Sequence, residues 1–79
     1  MNEDFLAILR RHLRYLPPDE DLAPDVPLRA LGLDSMAAVA LMLDLEDEFA
    51  TILPDERLTG ETFATARSLW SAIASGTPR

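Results

Sequence analysis

The sequence predicts an all-α fold, a small four-helix bundle of three main helices and one short helix, with a long loop between helices one and two. Three observations carry this. Apolar residues recur at spacings of three and four in separate stretches. Four prolines, Pro17, Pro18, Pro24 and Pro27, fall between the first two stretches and forbid regular helix there. No alternating apolar–polar run marks a strand. At 79 residues the chain has room for a single domain, 1–79, and an apolar fraction of 48% can supply a core.

Helix one is expected over residues 1–16. Asn2 can cap it, with Glu3 and Asp4 at its positive end. Phe5, Ile8, Leu9, Leu13 and Leu16 then form one apolar stripe. Arg10, Arg11 and Arg14 follow toward the C-terminal end, where cations suit the helix dipole; the alternative is a contact with an anion or a partner. Residues 17–34 form the loop, longer than most connections. Val26, Leu28, Leu31 and Leu33 can pin it to the core, and Gly32 permits a turn that a Cβ would resist.

Helix two is expected over 35–50, before Pro54. It lacks Gly and Pro and is rich in Ala, Leu, Met and Glu, all good helix formers. A short helical segment follows over 55–63, broken by Gly60. Thr65 can cap the last helix, 65–75, which carries Ala66, Leu69, Trp70 and Ile73 at helical spacing. Trp70 is expected in the core. Gly76 and Pro78 end the helix and leave a tail, 76–79.

Net charge is −7, from 14 acids against seven arginines. That balance argues against nucleic acid, whose phosphates need basic residues, and favours partners with basic surfaces. Nothing approaches ~18 consecutive apolar residues, so no membrane span is expected. No basic, apolar leader opens the chain, and the expected location is cytoplasmic. The absence of cysteine excludes disulfides, thiolate metal sites and a thiol nucleophile. His12 is the only histidine and reads as an ordinary, partly exposed one.

On a helical wheel the second helix has two apolar sides. Ala38, Leu41, Met42, Leu45 and Phe49 gather on one, the expected core face. Met36, Val39 and Leu43 gather on the other, flanked by Glu46 and Asp47. A surface helix needs only one apolar stripe. The second is read as a partner-docking face whose acids steer basic partners. Burial on both sides, or a homodimer contact, are the competing readings.

Ser35 stands where the Pro-rich loop turns into this helix. Its hydroxyl can simply cap the helix, or it can carry a group. A phosphate ester there would meet free N–H groups and the positive end of the dipole. Nothing nearby supplies a general base for a catalytic serine, so no enzymatic activity is expected of the chain itself.

The run "LGLDSM", after a Pro-rich acidic loop and before a Leu/Met/Ala helix ending "LEDEF", closely resembles the attachment region of acyl and peptidyl carrier proteins. With "LPDERLTGETF" and the closing "TARSLWSAI", the resemblance covers nearly the whole chain. It implies that Ser35 is esterified with 4′-phosphopantetheine, taken from coenzyme A by a Mg²⁺-dependent phosphopantetheinyl transferase. Asp34 matches the acid that assists the metal in that reaction. Leu33 and Met36 match the apolar residues flanking the attachment point. The arm would supply the thiol that the chain lacks and hold an acyl or aminoacyl group as a thioester, at high effective concentration near a docked enzyme.

Ala37 and Ala40 stand where fatty-acid carriers place acids. The resemblance is therefore stronger to free-standing carriers of nonribosomal peptide, polyketide or hybrid natural-product pathways. The implied partners are the transferase, an adenylating or acyl-transferring loading enzyme, and a downstream synthase or tailoring enzyme, visited by a monomeric carrier. The expected docking surface comprises Leu33, Met36, Val39, Leu43, Glu46 and Asp47. A fatty-acid-type carrier is the alternative within the family. Outside it, the alternative is an unmodified helical protein-interaction module in which Ser35 is only a cap.

Overall fold

The computed structural model describes residues 2–17, 19–53 and 58–78. Three helices form its frame: α1 (Glu3–Arg11), α2 (Ser35–Glu48) and α3 (Ala66–Ala74). A 3₁₀ turn, Leu28–Leu31, interrupts the long first connection. Two short strands, β1 (Thr51–Ile52) and β2 (Thr77–Pro78), pair antiparallel, with Thr51 opposite Pro78 and Ile52 opposite Thr77. The helical bundle is the predicted fold class. The strand pair is an addition to it, since two residues are too few to show a period of two.

α1 begins where expected. The Asn2 side chain accepts the Asp4 N–H at 2.7 Å and the Phe5 N–H at 3.2 Å. It ends five residues before the predicted boundary at 16, in a series of tight turns through Leu13 and Leu16. Two tertiary contacts explain this. His12 Nε2 lies 2.7 Å from Asp44 Oδ2 on α2, and the Tyr15 N–H bonds the Leu31 carbonyl at 3.0 Å. Leu13 still reaches the core through the turn. Arg14 therefore lies beyond the helix and is not one of its dipole-facing cations; Arg10 and Arg11 occupy the last turn.

The core is one cluster. Phe5, Ile8 and Leu9 of α1 meet Leu41 and Leu45 of α2 and Leu69 and Ile73 of α3, with Leu28, Leu33 and Leu53 from the connections. Trp70 is half-buried at its edge, its ring 5.0 Å from that of Phe5 and 5.8 Å from that of Phe49. The long loop is fastened to α3 at its outer end. Arg67 donates through Nε to Asp25 Oδ1 at 2.7 Å, and its N–H bonds the Pro24 carbonyl at 3.0 Å. The Arg67 hydrogen bond holds the Asp25 carboxyl below its usual range and raises Arg67. The pair therefore adds stability above the ordinary Asp range, and the gain is lost as pH falls through the lowered value. Both groups are exposed, so solvent mutes the effect.

α2 closes two residues before the predicted boundary at 50. The Phe49 N–H bonds the Leu45 carbonyl at 3.0 Å, and Ala50 follows in left-handed backbone at φ 47°. Glycine is the usual residue after such a helix end, because a Cβ is strained there. Ala50→Gly is expected to stabilise the protein by about 0.5–1 kcal/mol. A denaturant midpoint that stays put or falls would contradict this.

The predicted short helix, 55–63, is corrected in part. Residues 55–57 lie outside the described residues, and 58–63 form turns, not a helix. Thr59 Oγ1 accepts the Thr62 N–H at 3.3 Å, a side-chain bond that competes with helix, and Gly60 adds no propensity. α3 then starts cleanly. Thr65 and Ser68 form a reciprocal capping box, each side chain bonding the other's backbone N–H at 3.1 Å. The predicted tail is partly structured, because Thr77–Pro78 pairs with β1.

Candidate functional site

The site is built where the 3₁₀ turn runs into α2. Gly32 sits at φ 103°, buried, and its N–H bonds the Arg29 carbonyl at 3.2 Å. The Leu33 N–H then reaches back to the Leu28 carbonyl at 3.1 Å. This tight reversal aims Leu33 inward, where it is 7% exposed. Leu33 is thus a core residue, and its assignment to the docking surface is corrected.

Asp34 comes next, in extended backbone, and caps α2: its Oδ1 accepts the Ala37 N–H at 2.8 Å. Its Oδ2 accepts from Arg14 Nη2 at 3.2 Å. The capping position is therefore filled by Asp34. Ser35 is the first helical residue, exposed to solvent, and its hydroxyl has no hydrogen-bond partner among the described residues. In "DS" either side chain can cap a helix, so only the backbone path separates the two. Ser35 also stands at the positive end of the α2 dipole, which favours a phosphate ester.

Ser35 lies on the wall of an open cleft of about 920 Å³. Leu33, Ala38, Val39 and Met42 line one side; Leu58 and Phe63 belong to the far side, and Arg29 is the cation on its wall. The space is large enough for a long, flexible group joined to the serine, and its lining is mostly apolar.

The two sides of α2 separate as the wheel requires. Leu41 and Leu45 are fully buried, whereas Met36 is 84%, Val39 56% and Leu43 58% exposed. Asp47 is exposed at the lower end of this stripe. Glu46 is not available in the same way: it is half-buried, and its Oε2 accepts the Leu53 N–H at 3.0 Å. It thereby fastens the segment after α2. His12 is engaged by Asp44 and is 15% exposed at its side chain, so it offers no base to Ser35. Among the described residues no group of three or more His, Cys, Asp or Glu is placed to hold a metal ion, and no helix is long and apolar enough to cross a membrane.

Comparison with known proteins gives a single answer. A family model for the phosphopantetheine attachment site matches residues 3–73. The aminoacyl carrier protein of Agrobacterium fabrum is 33% identical over 73 residues, covering 92% of this chain and 88% of that protein. Aminoacyl carrier protein 2 of Bradyrhizobium diazoefficiens is 36% identical over 64 residues, covering 81% and 72%. Among solved structures, a chain in the complex of an engineered Bradyrhizobium japonicum glycine:[carrier protein] ligase with AMP and a carrier protein from Agrobacterium tumefaciens superposes with a TM-score of 0.81. It is 31% identical, with 94% of this chain and 99% of that chain covered. With nearly the whole length matched in sequence and in fold, the protein belongs to the phosphopantetheine-attachment family of carrier proteins, domains that bear 4′-phosphopantetheine covalently and do no catalysis by themselves.

Proposed function

We propose that Ser35 is the attachment residue and that the group delivered from it is aminoacyl. The observation that carries the first part is the cap: Asp34 satisfies the helix end, which leaves the Ser35 hydroxyl exposed and unengaged. The second part is supported by the two relatives named as aminoacyl carriers and by the fold neighbour crystallised with a glycine ligase. When bound, the arm supplies a thiol that holds the cargo as a thioester. The protein's own residues orient that arm, keep the serine in reach and present a surface to partners.

On this reading an adenylating ligase loads the carrier, and a downstream synthase or tailoring enzyme of a natural-product pathway unloads it. Asp34 assists the transferase's metal during modification. Met36, Val39 and Leu43 form the docking stripe, with Asp47 at its edge. The stripe is small, and such surfaces suit brief contacts with several partners in turn. A cytoplasmic location fits a modification that draws on coenzyme A.

Incubation with coenzyme A and a broad-specificity phosphopantetheinyl transferase should raise the intact mass by one phosphopantetheine. A glycine:[carrier protein] ligase with its amino acid should then add one aminoacyl group. Modified protein that refuses amino acids but accepts fatty acyl groups would move it to the fatty-acid type. No gain of mass with several transferases would leave the unmodified interaction module.

The docking stripe has its own test. Met36→Glu and Leu43→Glu should each slow aminoacyl loading about tenfold or more, the effect of losing a central interface contact of roughly 1.4 kcal/mol or more. Both residues are exposed, so melting temperature should hardly move. Unfolding of Met36→Glu would show that the side chain is buried in solution.

A further inference from the structure

The Arg14–Asp34 pair is drawn into the attachment site by an unusual route. Arg14 lies just past α1, twenty residues before Asp34, yet its Nη2 stands 3.2 Å from Asp34 Oδ2. Its stem passes over Gly32. A Cβ added at Gly32 would lie 2.6 Å from Arg14 Cγ and 3.1 Å from the Arg14 backbone nitrogen. The missing side chain at position 32 therefore opens the path by which a guanidinium reaches the residue before Ser35.

That placement matters for charge. The chain carries a net charge of −7, and Asp34 already puts a carboxylate beside Ser35. A phosphodiester on Ser35 adds another negative charge at the next residue. Asp34 uses one oxygen on the helix cap and the other on Arg14. Arg67, by contrast, is paired with Asp25 on the long loop. Arg14 thus sets a cation against the residue that precedes the modified serine, while Arg29 stands on the cleft wall.

We propose that Arg14 is a positioning residue for the modified serine: its guanidinium, passed over Gly32 to Asp34, offsets the charge of the phosphodiester and so keeps the modified form as stable as the unmodified one. This rests on Ser35 being the attachment residue. A purely structural ion pair would stabilise both forms equally, which gives the test its contrast.

Wild type, Arg14→Gln and Arg14→Lys are each prepared unmodified and modified, with intact mass confirming the state. Thermal melts at low salt then give the change in Tm on modification. The change should be near zero in wild type and in Arg14→Lys, which keeps the charge. In Arg14→Gln modification should lower Tm by about 2–4 °C, as expected for a partly exposed charge interaction in a domain of this size. The deficit should close at about 1 M NaCl, where the Debye length is about 3 Å. If Arg14→Gln does not hold its fold, Arg14→Met, which keeps the stem over Gly32 without the charge, replaces it. An equal change in all variants, or a deficit that persists in high salt, overturns the proposal. Failure of wild type to gain mass overturns the assignment of Ser35, and the role of Arg14 with it.

Discussion

Ser35→Ala should fold as the wild type does and take up no phosphopantetheine. The fold half of this result follows from what the hydroxyl does not do. Asp34 caps α2, and the Ser35 side chain is exposed with no hydrogen-bond partner among the described residues. Alanine is also the better helix former at an exposed helical position. Stability should therefore stay within about 0.5 kcal/mol of wild type. Had the serine been the cap, the same change would cost about 1 kcal/mol. The chemical half is all or none, because an ester needs an oxygen. Intact mass after transferase treatment should show no gain in Ser35→Ala and one phosphopantetheine in the wild type. Modification of the variant would move the attachment elsewhere, and a large drop in Tm would restore a capping role to the serine.

Gly32→Ala should be strongly destabilising for so small a change. Two costs combine at that position. The backbone at φ 103° is left-handed, which any L side chain resists by about 1–2 kcal/mol. The new methyl would also meet Arg14 Cγ at 2.6 Å and the Arg14 and Tyr15 backbone nitrogens at 3.1 Å, and overpacking of that kind costs about 1–3 kcal/mol. The sum, about 2–5 kcal/mol, is a large share of what a small domain has. Thermal and denaturant melts should show it directly, with Tm lower by roughly 8 °C or more. Partial folding should leave Ser35 poorly presented and slow its modification. A loss below about 1 kcal/mol would mean that the loop relaxes around the methyl.

The helical frame was legible because its signals are local. Asn2 caps α1, Thr65 caps α3, and the spacing of Leu41 and Leu45 put both in the core. The exposure of Met36, Val39 and Leu43 also follows from the wheel. What escaped the sequence depends on chain crossings. The early end of α1 comes from His12 meeting Asp44 and Tyr15 meeting Leu31, contacts that no spacing within α1 records. Leu33 reads both as a core pin of the loop and as a docking residue beside the serine; the Gly32 turn, which directs it inward, decides for the core. Glu46 sat on the edge of the docking stripe by angle, but its long side chain swings to the Leu53 N–H. The exchange of capping roles between Asp34 and Ser35 turned on one backbone conformation.

The β1–β2 ladder has a practical use. It fastens Thr77–Pro78 to Thr51–Ile52, just past the end of α2 remote from Ser35. Fourteen helical residues, about 20 Å, lie between those two ends. A biosensor chip or a bead coupled through the C-terminal end would therefore hold the molecule by the wrong end for interference, leaving the serine facing the fluid for incoming enzymes.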